Sequence, residues 1–283
     1  MRAPLCEAID ISEHNVRAGA IDWAAVRASG VPAVMIRIGW AGYDGPIAGN
    51  GAIDDSFDAS VRGAAAAGLD VGLYVYAYCR TPAAARIAAR ECVRIAQAYP
   101  GMITYPIAID VEETGAKTGH CLTGQGKAGL ASTIAAFCAE VAAGGYYAAW
   151  YTYAAFAASY IDTAALAAYD LWIANYAKDP ETMAQWCGRD SYGMWQYAGD
   201  KDTYDLVRGH LRLPGGCPGV SGPCDRNRVY RDYPSIIRTA GLNGLTAREP
   251  EKATVTLTAQ EYAVLRDKAD KYDRIAAIAA EAE

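Results

Sequence analysis

Tyr105-Pro106-Ile107-Ala108-Ile109-Asp110-Val111-Glu112 reads as a buried strand that ends on two acids. Side chains alternate along a strand, so residues two apart share a face, with Cα atoms about 6.6 Å apart. Asp110 and Glu112 therefore point one way and Val111 the other. Two carboxylates on one face repel, which pushes at least one pKa upward. A protonated acid kept beside an ionised one is the pair that acid-assisted glycosidic cleavage uses. The plainer reading is a strand-end pair held by Arg or Lys, or a helix cap.

A second strand ends the same way. Residues 5–11, Leu-Cys-Glu-Ala-Ile-Asp-Ile, close on Asp10 and Ser12. In barrels and doubly wound sheets the carboxyl ends of strands line the site. A turn closed by the Asp side chain is the structural alternative for Asp10. Further apolar runs lie at 33–38, 71–76, 146–152, 170–174 and 192–197, with a short eighth near 224–225. Ala-rich helical stretches at 22–29, 55–67, 82–98, 126–143 and 162–168 separate them, and Gly30, Gly68 and Gly144-Gly145 mark helix ends. Helix, Gly, apolar strand is the βα pattern of a parallel sheet. Seven or eight such strands predict an α/β fold, an irregular (β/α) TIM-like barrel, with short or missing late helices.

The pattern changes after residue 233. We read residues 1–240 as the barrel, 241–254 as a linker and 255–283 as a helical tail. Pro234, Gly241, Gly244 and Pro250 suggest a final turn of the domain and a linker. Thr258 and Glu261 form a capping-box signature. Tyr262, Leu265, Ala269, Tyr272, Ala276 and Ala279 follow at three- and four-residue spacing. That seam is either a solvated helix or a coil through which the chain forms a homo-oligomer.

The 283 residues are 52% hydrophobic and 20% charged, which suits a folded core and excludes disorder. A net charge of −6 disfavours nucleic acid as a partner. No apolar run is long enough for membrane insertion. The N-terminus enters a strand without a signal-peptide core, so the expectation is synthesis in the cytoplasm without a signal peptide, or removal of a leader. Eight cysteines include no CxxC pair, so no metal site and no cofactor is expected. Most read as buried thiols, while Cys217 and Cys224, flanking a Gly/Pro-rich turn, are candidates for a disulfide in an oxidising medium.

Taken in order, the motifs resemble glycoside hydrolase family 25, the N-acetylmuramidase (lysozyme) family of endolysins and autolysins. The resemblance covers about residues 5–233. It rests on Ile9-Asp10-Ile11-Ser12-Glu13-His14-Asn15, Ile21-Asp22-Trp23, Val34-Met35-Ile36-Arg37-Ile38-Gly39, Asp55-Ser56-Phe57, Gly72-Leu73-Tyr74-Val75-Tyr76, Asp110-Val111-Glu112, Leu171-Trp172-Ile173-Ala174-Asn175-Tyr176, Met194-Trp195-Gln196-Tyr197 and Cys224-Asp225-Arg226-Asn227. It implies cleavage of the β-1,4 bond between N-acetylmuramic acid and N-acetylglucosamine in bacterial cell-wall peptidoglycan. Glu112 is then the general acid, Asp110 assists the substrate acetamido group, and Asp10 and Asp225 complete an acidic ring. It also implies a phage or prophage endolysin that acts on the wall after holin-type release or lysis.

The chain carries 20 Tyr and 6 Trp against 3 Phe, and Tyr and Trp present flat apolar faces with a polar handle, which suits sugar rings. Arg37, Tyr76, Tyr78, Tyr151, Trp172, Tyr176 and Gln196 are candidate substrate contacts, with core packing as the alternative for each aromatic. Arg37 within an apolar strand needs an acidic partner, and Asp10 or Asp110 is the expected one. His14 lies beyond the first strand, and His120 and His210 lie in Gly-rich loops. No Ser-His-Asp order is present, which disfavours a protease. Two other classes stay open: a non-catalytic peptidoglycan- or chitin-binding module on the same barrel, and an assembly protein built around the coil. Clustered repelling carboxylates argue against a pure binder.

Overall fold

Seven apolar runs and one polar segment become strands: β1 (Cys6–Ile11), β2 (Ala33–Ala41), β3 (Asp70–Ala77), β4 (Ile103–Asp110), β5 (Ala148–Tyr153), β6 (Asp170–Ala174), β7 (Met194–Ala198) and the polar β8 (Asp225–Val229). In the computed structural model they hydrogen-bond in sequence order and close into a barrel. The structure describes residues 3–17, 19–47, 52–115, 121–176, 192–199, 216–246, 258–264, 266–268 and 271. Strands β1 to β7 pair in parallel, while β8 runs antiparallel to both β7 and β1. The barrel is thus mixed, correcting the all-parallel expectation. The reversal places the first residue of β8, Asp225, opposite Asp10 at the last turn of β1.

The helices are α1 (Glu13–Val16), α2 (Trp23–Ala28), α3 (Phe57–Ala66), α4 (Pro82–Ala96), α5 (Gly126–Ala143), α6 (Ala154–Tyr160) and α7 (Tyr233–Ala240). Three of these were not read from the sequence: the one-turn α1, α6 and α7. The expected helix at 162–168 is only a 3₁₀ turn, Ala164–Leu166, and the helix of that unit is α6. It begins directly after β5 with no side-chain cap to announce it. The stretch read as turn and linker begins with α7, which Asp232 caps through the Ser235 N–H at 3.1 Å. Pro234 sits in its first turn and Gly241 ends it in the left-handed region, so both breakers mark helix ends.

Two apolar layers result. Leu, Ile, Val and Ala on the outer faces of the strands pack against the helices. Inside the barrel lie Ala8, Met35, Tyr74, Tyr105, Trp172 and Met194, with Tyr233 and Ile237 of α7. Tyr233 is fully buried, its ring 5.1 Å from Tyr105 and 5.6 Å from Tyr147. Asn243 binds the carbonyls of Ile103 and Tyr105 at 3.2 and 2.9 Å and accepts the Tyr147 N–H at 2.8 Å. These groups fill the end where the parallel strands begin, so the acids at the opposite end stand on a packed floor.

β2 carries a bulge between Arg37 and Gly39. Gly39 has φ +149° and its Cα faces the Ala52 carbonyl so closely that a Cβ would run into it. Gly39→Ala combines backbone strain with overpacking and should cost about 3 kcal/mol. Urea unfolding followed by circular dichroism checks this, and a loss under about 0.5 kcal/mol would contradict it.

The chain divides into two compact units, Met1–Arg248 and Glu249–Glu283. In the second, the backbone is helical at 259–264, 266–268 and 271. Thr258 and Glu261 form the capping box: Thr258 N–H donates to Glu261 Oε2 at 2.9 Å and Glu261 N–H to Thr258 Oγ1 at 3.2 Å. Tyr262 is exposed. The seam positions Leu265, Ala269, Tyr272, Ala276 and Ala279, most of the expected linker, His120, His210 and Cys187 lie outside the described residues. No described helix is long and apolar enough to cross a membrane.

Candidate active site

The end of β4 is held by its neighbour. Val111 N–H donates to the Tyr151 carbonyl at 2.9 Å, and the Val111 carbonyl accepts the Thr152 hydroxyl at 2.6 Å. With Val111 clamped outward, Asp110 and Glu112 project together over the barrel mouth. Asp110 is 4% exposed, whereas Glu112, two residues beyond the strand end, is partly exposed at the rim.

Asp10 completes the group from β1. Its Oδ2 accepts the Gln196 amide at 2.9 Å and the Asn227 amide at 2.8 Å, and it hydrogen-bonds Asp225. Gln196 has no capacity left: its Oε1 accepts the hydroxyls of Tyr151 at 2.9 Å and Tyr176 at 2.6 Å. Trp172 donates its indole N–H to Asn227 Oδ1 at 2.7 Å. Gln196 and Trp172 are almost wholly buried, at 2% and 1% exposure. Their polar atoms are taken up by the side chains around Asp10. Tyr151 is also buried. Tyr76, Tyr78 and Tyr176 stay partly exposed.

Arg37 does not pair with the ring. Its Nε binds Asp54 Oδ2 at 2.9 Å and Oδ1 at 3.1 Å, and its guanidinium lies 4.3 Å from the centre of the Trp40 ring. The bulge at Gly39 turns the strand so that Asp54, which also accepts the Glu13 N–H at 2.9 Å, is the nearer acid. Arg37 still pulls the Asp110 pKa downward through space. His14 is exposed on α1, and its pKa is lowered by partial burial and by Arg37 and Arg17.

Crowding acids in a dry mouth raises them. Burial, then the charges of Asp10 and Glu113, lift Glu112 to about 7. Burial, then Glu112 and Asp10, hold Asp110 well above the usual carboxylate range. Burial raises Asp10 too, against the pull of Asn227, Gln196 and Asp225. Asp110 Oδ1 is buried without a hydrogen-bond partner among the described residues. Such an acceptor awaits a donor, since leaving it dry costs about 1–3 kcal/mol.

Three contributors escaped the sequence reading. Asp54 was hidden because it belongs to no strand end. Asn227 lay in a quoted motif without a role. Glu113, next to the acid, is 8% exposed and accepts the Tyr76 hydroxyl at 3.2 Å and the Gly115 N–H at 2.6 Å. Removing its charge as Glu113→Gln should lower the Glu112 pKa from about 7 by about half a unit. Carboxyl ¹³C NMR titration reads this, and an unmoved Glu112 midpoint would rule out the effect.

Cys217 and Cys224 are buried free thiols, so the expected bridge is not formed. The Cys217 thiol faces Ser29 Oγ at 3.8 Å and that of Cys224 its neighbour's carbonyl at 3.7 Å. No group of His, Cys, Asp and Glu suited to a metal ion occurs among the described residues.

The same barrel occurs in solved structures. The modular autolysin LytC from Streptococcus pneumoniae is 22% identical with a TM-score of 0.61, over 78% of this chain and 46% of that one. The chain therefore spans less than half of the pneumococcal protein. The CTP1L endolysin is 20% identical with a TM-score of 0.60, over 82% of this chain and 69% of that one. The bacterial lysozyme from Streptomyces coelicolor is 23% identical with a TM-score of 0.58, over 84% of this chain and 97% of that one. At these identities the likeness shows the fold alone. No curated protein matches the chain. The sequence model of glycosyl hydrolases family 25 matches residues 9–206, from β1 through β7 and including Asp10, Asp110 and Glu112. On that match, the chain belongs to glycosyl hydrolases family 25.

Proposed function

We propose that this chain is a peptidoglycan hydrolase that cleaves the β-1,4 bond between N-acetylmuramic acid and N-acetylglucosamine, with Glu112 as general acid and Asp110 assisting the substrate 2-acetamido group. The observation that carries this is the pair Asp110 and Glu112, projected together from one clamped strand end, with Glu112 raised to about 7. An acid with that pKa is half protonated at neutral pH and is well matched to donate to a leaving oxygen.

The buried Asp110 Oδ1 supplies the second part. A substrate acetamido N–H placed against it satisfies the orphaned acceptor and favours the ionised form of Asp110. The proton held between the coupled acids then resides on Glu112, where it is needed. The acetamido oxygen attacks the anomeric carbon as Glu112 protonates the leaving oxygen. Water, deprotonated by Glu112, opens the resulting ring, giving retention. Asp10 and Asp225 add negative potential where positive charge develops on the sugar.

Residues 1–240 form the catalytic barrel in this reading, with 241–254 as linker and 255–283 as a helical tail available for homo-oligomerisation. Membership of glycosyl hydrolases family 25 is compatible with an endolysin-type role, acting on the wall after release from the cytoplasm. The deciding experiment digests purified peptidoglycan with wild type and Glu112→Gln and analyses borohydride-reduced fragments by mass spectrometry. Fragments ending in reduced muramic acid, absent with the variant, are the expected result. Retention on peptidoglycan without new reducing ends would instead favour a non-catalytic binding module.

A further inference from the structure

A row of rings runs outward from the acids to a cation. The Tyr76 hydroxyl reaches Glu113, the Tyr76 and Tyr78 rings lie 5.3 Å apart, and Tyr43 meets Tyr78 edge-on at 6.4 Å. At the far end the Arg80 guanidinium stacks 3.8 Å from the centre of the Tyr43 ring. Tyr43, Tyr76 and Tyr78 are partly exposed and Arg80 is exposed.

The platform is built rather than incidental. Tyr78 N–H donates to the Ala41 carbonyl at 2.9 Å and Arg80 N–H to the Tyr43 carbonyl at 3.2 Å, stitching the end of β3 to the loop after β2. That loop turns at Gly45, φ +104°, which lies so close to the Ala84 carbonyl that no side chain fits. Arg80, like Arg86, has no carboxylate on it among the described residues, but Arg80 is the one stacked at the end of the ring row. Arg17, Arg62, Arg90 and Arg94 each pair with a carboxylate, and Arg37 is tied to Asp54. The Arg80 guanidinium is exposed, so its donors face solvent at the outer end of the row. Stacking on a ring fixes a guanidinium plane and leaves its edge free for a carboxylate.

We propose that Tyr43 and Arg80 form a carboxylate subsite at the outer end of the Tyr76–Tyr78 row, binding an acidic group of the wall polymer while the rings carry its sugars. The proposal rests on the peptidoglycan reading above, because a polymer of N-acetylglucosamine alone has no carboxylate to offer. The acidic group is either a stem-peptide carboxylate or the lactyl carboxylate of muramic acid freed of its peptide. An anionic polymer approaching Asp10, Asp110, Glu112 and Asp225 meets repulsion, and a fixed cation at the rim offsets it and sets the direction of entry.

The test compares Arg80→Gln with wild type on three materials: intact peptidoglycan, the same peptidoglycan with carboxylates amidated by carbodiimide and ammonia, and glycan strands stripped of peptides by an amidase. Wild type should prefer intact over amidated wall in kcat/KM, and Arg80→Gln should lower that preference by about fivefold, mainly through KM. A loss in Arg80→Gln on stripped strands assigns the lactyl carboxylate, which is free only there, and a loss confined to intact wall assigns the stem peptide. Arg80→Gln that matches wild type in kcat/KM on both intact wall and stripped strands overturns the subsite. Retention of Glu112→Gln and of Glu112→Gln/Arg80→Gln on the same materials reads binding without cleavage. The subsite is thus decided even if no material is cut, an outcome that would overturn only the hydrolase reading.

Discussion

Glu112→Gln should lower kcat for release of reducing ends by about a thousandfold while peptidoglycan retention stays close to wild type, because an amide keeps the shape and removes the proton donor. Initial rates on purified wall measure it, and a variant within about tenfold of wild type would remove Glu112 from the acid role. The pH dependence follows from the same group. The acid must be protonated, so activity should fall as pH rises through about 7, the value to which burial and then the charges of Asp10 and Glu113 lift it. Folding is linked in the same direction. The Glu112 pKa rises from its ordinary 4.5 to about 7 in the fold, so its favourable contribution is complete below about 4.5 and is lost as pH rises through 7. Gln mimics the protonated form. Glu112→Gln should therefore match wild type near pH 4 and exceed it at pH 8 by about 3 kcal/mol. Thermal unfolding at the two pH values checks the sign. An acid held above its ordinary pKa thus costs the fold stability at neutral pH.

Asp110→Asn should be the next most damaging change, lowering kcat by about a hundredfold. The amide cannot accept the acetamido N–H with a negative charge, and it places a second donor against the one the substrate brings. KM should move little, since the loss falls on charge that develops in the transition state. The first-formed anomer, followed by proton NMR, separates this role from its rival. Initial appearance of the β-anomer fits attack by the acetamido oxygen. The α-anomer would make Asp110 a base acting on water and overturn substrate assistance.

The two changes act on groups that the chain presents very differently. Asp110 and Glu112 are visible because period-two alternation is local: an apolar run ending in Asp-x-Glu puts both acids on one face wherever the strand lies. Asp10 is visible on the same ground. Arg37 was correctly read as needing an acid, but the acid was misassigned. The bulge at Gly39 turns β2 toward Asp54, and a bulge is decided by close backbone approach to Ala52, which no periodicity records. Gln196 and Trp172 carry chemistry suited to sugars, yet the barrel buries them. Their polar atoms are used to hold Asp10 and Asp225, directly for Gln196 and through Asn227 for Trp172. Side-chain type alone does not separate a surface that touches sugar from the layer that supports it.

The sequence by itself determined the alternation of helix and strand, the α/β barrel, and the acids at the ends of β1 and β4, because these depend on residues near one another in the chain. Only the tertiary structure decided which acids meet. Asp225 reaches Asp10 because β8 runs antiparallel, which brings the start of that strand to the mouth where β1 ends. Asp54 takes Arg37, Glu113 takes Tyr76, and Arg80 stacks on Tyr43 through contacts between residues 17 to 37 positions apart. The raised pKa of Glu112 is likewise a property of closure, since burial and the charge of Asp10 act only once β1 and β4 share one dry mouth.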